Sequence, residues 1–114
     1  MPAVSRRDEL FLQDIHRACG KILRFTSGVG REQFLADEKT YDAVLRNLEI
    51  IGEAAKHVSE EARTSFPTIE WRKIAAFRDI VAHEYFGIDE NILWDIVTNK
   101  VPALLKQLKE GPVL

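Results

Sequence analysis

The sequence predicts an all-α domain over residues 1–114, an antiparallel bundle of four main helices with short helical turns in the connections. Three observations predict it. Apolar residues recur at +3 and +4 spacing almost throughout, which keeps one stripe of each helix apolar, and no alternating strand pattern, internal repeat or low-complexity stretch appears. Cap residues and helix stoppers fall at the joints between the periodic runs. At 114 residues the chain is one domain on the scale of roughly 100–200 residues each, so a single core is expected.

The first helix is expected over about 6–27. Phe11, Ile15, Ala18, Ile22 and Phe25 form its seam, Ser5 with Asp8 makes a capping-type start, and Gly28 makes a stop. Gly20 lies inside it at a cost of roughly 1 kcal/mol relative to alanine, which points to a close approach by another element or a local bend. Residues 30–37 hold a short helical turn, and Asp37 caps a second long helix over about 38–58. There Tyr41, Leu45, Leu48, Gly52 and Ala55 form one seam and Val44, Ile51 and Val58 its neighbour, too wide an apolar surface for a single partner. Small residues at 52, 54 and 55 admit a close backbone. Asn47, toward Ile51 and Ala54, reads as a half-buried amide that satisfies a neighbour.

Ser59 opens another short turn that ends before Pro67, because the residue before a proline is pushed out of the helical region. Thr68 then caps a third helix over about 69–84, with Trp71, Ile74, Ala75, Phe77, Val81 and Ala82 on its apolar side and Gly87 as its stop. Asp89 caps the last helix, whose seam is Trp94, Val97, Val101, Leu104 and Leu108. Pro102 interrupts it: lacking an amide donor, it should bend the helix near Thr98.

Hydrophobic residues at 46% and charged residues at 30% exclude collagen-like, mucin-like and disordered chains. With 16 basic and 18 acidic side chains the net charge is −2, which excludes a histone-like nucleic-acid binder. The distribution is uneven. Residues 1–31 carry six basic and three acidic side chains, a local +3, leaving ten basic and fifteen acidic in residues 32–114, a local −5. Cys19 stands alone and no Cys/His cluster has zinc spacing, so a reducing, cytoplasmic setting is expected, with no structural metal. The N-terminus lacks the apolar region of an export signal, and no apolar run nears the ~18–20 residues of a membrane span. So small a helical domain gains by covering an apolar face with a second copy, which favours a homodimer.

Chemistry concentrates in Phe77-Arg78-Asp79-Ile80-Val81-Ala82-His83-Glu84-Tyr85-Phe86-Gly87. Arg78 shares a face with Ile74, Val81, Ala82 and Tyr85, so a permanent cation near the apolar side demands a partner. Asp79 and His83, four apart, let a carboxylate orient an imidazole and raise its basicity. Arg78 and His83 diverge by about 140° on an ideal helix, so two subunits about a two-fold axis would supply two Arg–His sets to one cleft more easily than one subunit would. A salt-bridged helix-end cluster satisfies the same spacings. Glu49 and Glu53, flanked by Arg46, Lys56 and His57, suit acid–base work or a charge-laced surface stripe. Arg17, Lys21 and Arg24 make a basic stripe on the first helix, either a solvated face or a phosphate track. His16 offers nothing specific.

Over nearly its whole length the chain resembles the HepT-like family of the higher-eukaryote-and-prokaryote nucleotide-binding (HEPN) superfamily. The blocks that carry the resemblance are DEKTYDAVLRNLEIIGEAAKHVS (37–59), IEWRKIAAFRDIVAHEYFGID (69–89) and LWDIVTNKVPALLKQL (93–108). An isolated R-x-x-x-x-H-x-Y pattern is weak evidence; its place after RNLEIIGEA and before FGID and LWDIV is specific. The resemblance implies a helical homodimer that acts as a metal-independent endoribonuclease, without cofactor, and serves as the toxin of a toxin–antitoxin module. Arg78, His83 and Tyr85 fall on the family motif without substitution, while Asp79 stands where Asn is common. The implied partner is an MntA-type minimal nucleotidyltransferase antitoxin that neutralises the toxin by transferring an adenylyl group from ATP to the motif tyrosine, here Tyr85. The competing class is a non-catalytic helical module that only docks such a nucleotidyltransferase.

The chemistry also stands on elementary grounds. RNA carries its own nucleophile, the 2′-hydroxyl, so cleavage needs a base for that proton, an acid for the 5′-oxygen and a cation for the developing phosphorane. His83 and Arg78 suit those roles. Neither reads a base edge, so selectivity would come from cleft shape and exposed single-stranded RNA, with Arg17, Lys21 and Arg24 as candidate RNA contacts.

Overall fold

The structure, a computed structural model, describes residues 4–82 and 87–111. Among these, all regular structure is helical: α1 (Arg6–Thr26), α2 (Arg31–Ala36), α3 (Glu38–His57), α4 (Glu60–Thr64), α5 (Trp71–Ala75), α6 (Phe77–Ala82), α7 (Glu90–Asp95), a π-helical turn (Ile96–Lys100) and α8 (Val101–Glu110). The expected all-α bundle is what forms.

Local chemistry sets most of the joints. Ser5, Asp37, Ser59 and Asp89 each turn a side-chain oxygen back to accept from a backbone amide in the first turn of α1, α3, α4 and α7. Gly28, just past α1, adopts φ +72°, the left-handed conformation that reverses the chain without a β-carbon clash. Before Val101 and Pro102 the chain widens into the π turn, where the Val101 amide bonds to the Ile96 carbonyl. Pro102 offers the Thr98 carbonyl no donor, and the interruption expected near Thr98 takes this form.

The helix α3 is the spine. It packs against α1 on one flank and against α5 and α6 on the other, while α8 and the π turn cover α1. Leu12, Ile15, Ile22, Leu48, Ile51 and Leu104 lose all solvent contact at the centre, each worth roughly 1.5–3 kcal/mol of burial. Phe34 pins α2 by packing its ring against Tyr41 and Trp94 at 5.6 and 5.5 Å. The antiparallel pairing of α1 and α3 is locked at one end by Asp8. This buried carboxylate accepts from the Ser59 amide (2.9 Å), the Ser59 hydroxyl (2.7 Å) and the Ser5 hydroxyl (3.0 Å). Burial pushes that carboxyl up, yet the hydrogen bonds from Ser59 and Ser5 outweigh it and hold it below the usual aspartate value.

Four expectations are corrected. The third helix is not continuous over 69–84 but breaks at Ala76 into α5 and α6, where its backbone docks on Gly52 of α3. Thr68 caps nothing: α5 begins at Trp71 behind Glu70, and the Thr68 carbonyl instead accepts from the Gln107 side chain at 2.7 Å. Gly20 meets no neighbour within 4 Å of where a β-carbon would sit, and α1 runs on through it. Phe25 and Ala82, expected on apolar seams, are exposed: each lies in the last turn of its described helix, where an apolar spacing alone does not supply a packing partner.

Candidate active site

The site is built on the seam between α3 and α6. Gly52 lies where the α6 backbone touches α3: a β-carbon there would stand 2.9 Å from that of Arg78 and 3.0 Å from the Ala75 carbonyl oxygen. Only glycine admits so close an approach, and it fixes the height and angle at which Arg78 leaves its helix. The side chain then runs outward, half-exposed, and its guanidinium meets Glu53 at 3.1 Å.

Glu53 is shared. Its other oxygen accepts from the His57 ring nitrogen at 3.2 Å, and the His57 ring stacks on Phe11 of α1 at 5.3 Å with the Arg7 guanidinium over Phe11. The hydrogen bond from His57 and the charge of Arg78 hold the Glu53 carboxyl below the ordinary glutamate value. Glu49 pairs instead with Arg46 at 3.5 Å. The two glutamates therefore differ: Glu49 belongs to the surface stripe of α3, whereas Glu53 reaches across to α6. Their +4 spacing could not reveal this, since the partner lies 25 positions downstream, although the demand of Arg78 for a counter-charge pointed to some such residue.

Beside this pair opens a cleft of about 320 Å³, floored by Gly52 and Ala75 and walled by Lys56, Arg72, Arg78 and Asp79. Arg78 and Asp79, both expected at the site, thus face one concavity. His83 and Tyr85 lie outside the described residues. In the sequence Lys56 is legible only as a flank of the glutamates, and Arg72 carries no signal there, because the break at Ala76 sets which face of α5 adjoins α6. Among the described residues, no three His, Cys, Asp or Glu side chains converge as metal ligands.

On the opposite flank of α3 lies a second groove, about 280 Å³, walled by Asp14, Arg17 and Lys21 from α1 and by Asn47 and Ile50 from α3. Two members of the basic stripe therefore border a concavity, although the Arg17 side chain is largely exposed and also pairs with Asp14 at 3.6 Å. Arg24 is exposed farther along α1. Asn47 donates to the Ala43 carbonyl at 2.8 Å, as a buried amide should, while its own oxygen has no partner among the described residues.

The model of the family described as "Ribonuclease HepT-like" matches residues 15–110. The chain belongs to the HepT-like ribonuclease family. A protein of Methanocaldococcus jannaschii provisionally named an RNase is 44% identical over 100 residues, 88% of this chain and 83% of the relative. The probable ribonuclease HepT of Thermococcus cleftensis is 42% identical over 101 residues, 89% of this chain and 92% of the relative. Another provisionally named RNase, from Caldanaerobacter subterraneus subsp. tengcongensis, is 37% identical over 100 residues, covering 88% of this chain and 89% of the relative. No solved structure matches the chain. In this HepT-like chain the matched span takes in Gly52, Glu53, Arg78 and Asp79, and the basic stripe of α1 as well. No helix of the described residues is long and apolar enough to cross a membrane.

Proposed function

We propose that this HepT-like chain is a metal-independent endoribonuclease toxin that cuts RNA at a cleft shared by two copies. The observation that supports it best is the seating of Arg78: a permanent cation braced by Gly52 and Glu53 yet open to a cleft. In the reaction the RNA 2′-oxygen attacks the adjacent phosphorus, giving up its proton to one His83. The bond to the 5′-oxygen breaks, and that oxygen takes a proton from the partner copy's equivalent histidine. Arg78 stabilises the charge that builds on the phosphorane oxygens, and Asp79, four residues before His83 in the sequence, orients the imidazole. Products are a 2′,3′-cyclic phosphate and a 5′-hydroxyl.

Regulation follows from Tyr85, one heptad beyond Arg78. An MntA-type nucleotidyltransferase would join the tyrosine oxygen to the α-phosphorus of ATP, releasing pyrophosphate. The attached phosphate pairs with the guanidinium that holds substrate, and the adenosine blocks entry. Arg17, Lys21 and Arg24 form the outer phosphate track.

The test is direct. Partner-free protein should cut transfer or structured RNA in EDTA and leave cyclic phosphate ends, and Arg78→Ala and His83→Ala should each abolish cutting. Equal behaviour of wild type and His83→Ala would replace the enzyme with a helical module that only docks a nucleotidyltransferase.

A further inference from the structure

We infer that Lys56 and Arg72 form a second phosphate subsite for RNA in the Arg78 cleft, binding the phosphodiester next to the one that is cut. The inference rests on the ribonuclease reading above and goes beyond it by assigning two residues that neither motif nor family match singles out. Residues 32–114 are acidic by five charges, yet three of their ten cations wall one cleft with a single acidic side chain, Asp79, among the lining residues. Lys56 comes from α3 and Arg72 from α5, so the clustering is a product of the fold and not of a basic run.

Among the described residues neither Lys56 nor Arg72 is held in an ion pair, although Lys56 lies near enough to Glu53 for its charge to help hold that carboxyl down. Arg78 meets Glu53, and Lys73, beside Arg72, pairs with Glu70 at 2.7 Å, but neither Lys56 nor Arg72 makes a salt bridge or side-chain hydrogen bond with any described residue. Both side chains are exposed. What favours an anion from outside is the convergence: two cations from different helices face the same hollow as the proposed reacting cation, with one carboxylate among the lining residues. Arg78 is committed to the scissile phosphate, which leaves Lys56 and Arg72 for the adjacent one. They touch no reacting atom in this scheme, so they are binding and not catalytic residues. Phosphate contacts of this kind position a strand without reading its sequence.

The experiment measures binding and cutting separately. An uncleavable 2′-deoxy version of a substrate oligonucleotide is titrated by fluorescence anisotropy against wild type, Lys56→Gln, Arg72→Gln, the double variant and Lys109→Gln, an exposed cation on α8. Each cleft substitution should weaken binding about three- to tenfold at moderate salt and reduce the slope of log affinity against log salt by about 0.7, the value for one single-strand phosphate contact. Lys109→Gln should match wild type. With RNA the cleft variants should show raised KM and unchanged kcat. Wild-type affinity and salt slope in the double variant, while wild type still cuts RNA, would overturn the subsite and leave the ribonuclease reading standing. A fall in kcat at wild-type affinity would overturn it too, by placing the residues in the chemistry. Wild type that neither binds nor cuts RNA would overturn both.

Discussion

A β-carbon placed on Gly52 would stand 2.7 Å from the backbone nitrogen of Arg78, closer than real β-carbons approach. Alanine at this position therefore sets two effects against each other. In mid-helix it gains up to about 1 kcal/mol of propensity over glycine, but its methyl meets backbone that cannot swing aside, and overpacking of this kind costs about 1–3 kcal/mol. The clash should win. Gly52→Ala should lower the melting temperature by several degrees and cut RNA cleavage further than the lost stability explains, because α6 and Arg78 are pushed off α3 together. A melting temperature at or above wild type would mean that α6 is free to shift.

Much of this seam was legible beforehand. Small residues at 52, 54 and 55 within an over-wide apolar face announced a close backbone, and Gly52 supplies it; the caps at Ser5, Asp37, Ser59 and Asp89 are local chemistry that three or four residues suffice to specify. What stayed hidden is tertiary. The helix break at Ala76, the Glu53–Arg78 pair and the convergence of Lys56 and Arg72 all depend on how α5 and α6 lie across α3, which no spacing within one helix encodes. Gly20 shows the converse error: a helical glycine invites the thought of a close neighbour, yet here it is simply tolerated.

Asp8 ties the start of α1 to the start of α4, and three donors converge on its two oxygens. In Asp8→Asn one of those donors would face an amide hydrogen, leaving a buried group unpaired at a cost of about 1–3 kcal/mol; Ser59→Ala should cost about 1 kcal/mol. The pH dependence follows in sign. The folded carboxyl lies below its unfolded value near 3.8, so its contribution is complete above that value and is lost as pH falls through the folded one. Urea midpoints at pH 7 and pH 3 should therefore converge between wild type and Asp8→Asn at the lower pH.

Cys19 is fully buried, and burial pushes its thiol up to about 12. At pH 8 the native protein should resist a thiol-specific disulfide reagent over hours, whereas the protein in urea should release one equivalent per chain at once. Because the folded value lies above the unfolded one, this contribution to stability is complete below pH 9 and is lost as pH rises beyond it. Rapid native labelling would mean that α1 opens readily.

Assembly bears on the composite cleft. Leu10 and Ile92 are large apolar side chains left at 46% and 52% exposure, and the shared reaction needs two copies. Sedimentation should give a dimer at micromolar concentration, as an interface of about 800 Å² per partner can support. A monomer at that concentration, still cutting RNA, would confine the chemistry to one chain.

The last prediction concerns how Glu53 serves Arg78. Its carboxylate opposes an incoming phosphate by charge but holds the guanidinium in place, so substitution should separate binding from turnover. Glu53→Gln keeps the size of the side chain and its hydrogen bond to His57 while removing the charge. We expect kcat to fall about two- to fivefold, the range for an exposed ion pair, with KM unchanged or lower. The carboxyl is held below its ordinary value of 4.5, first by His57 and then by Arg78, so it stays ionised well under neutral pH. Its hold on Arg78 is thus fully present above 4.5 and weakens only as pH drops through the folded value. Between pH 5.5 and 8 the rate profiles of wild type and Glu53→Gln should accordingly run parallel. A variant whose KM rises while kcat holds would show that Glu53 shapes the entry of RNA instead of the posture of Arg78.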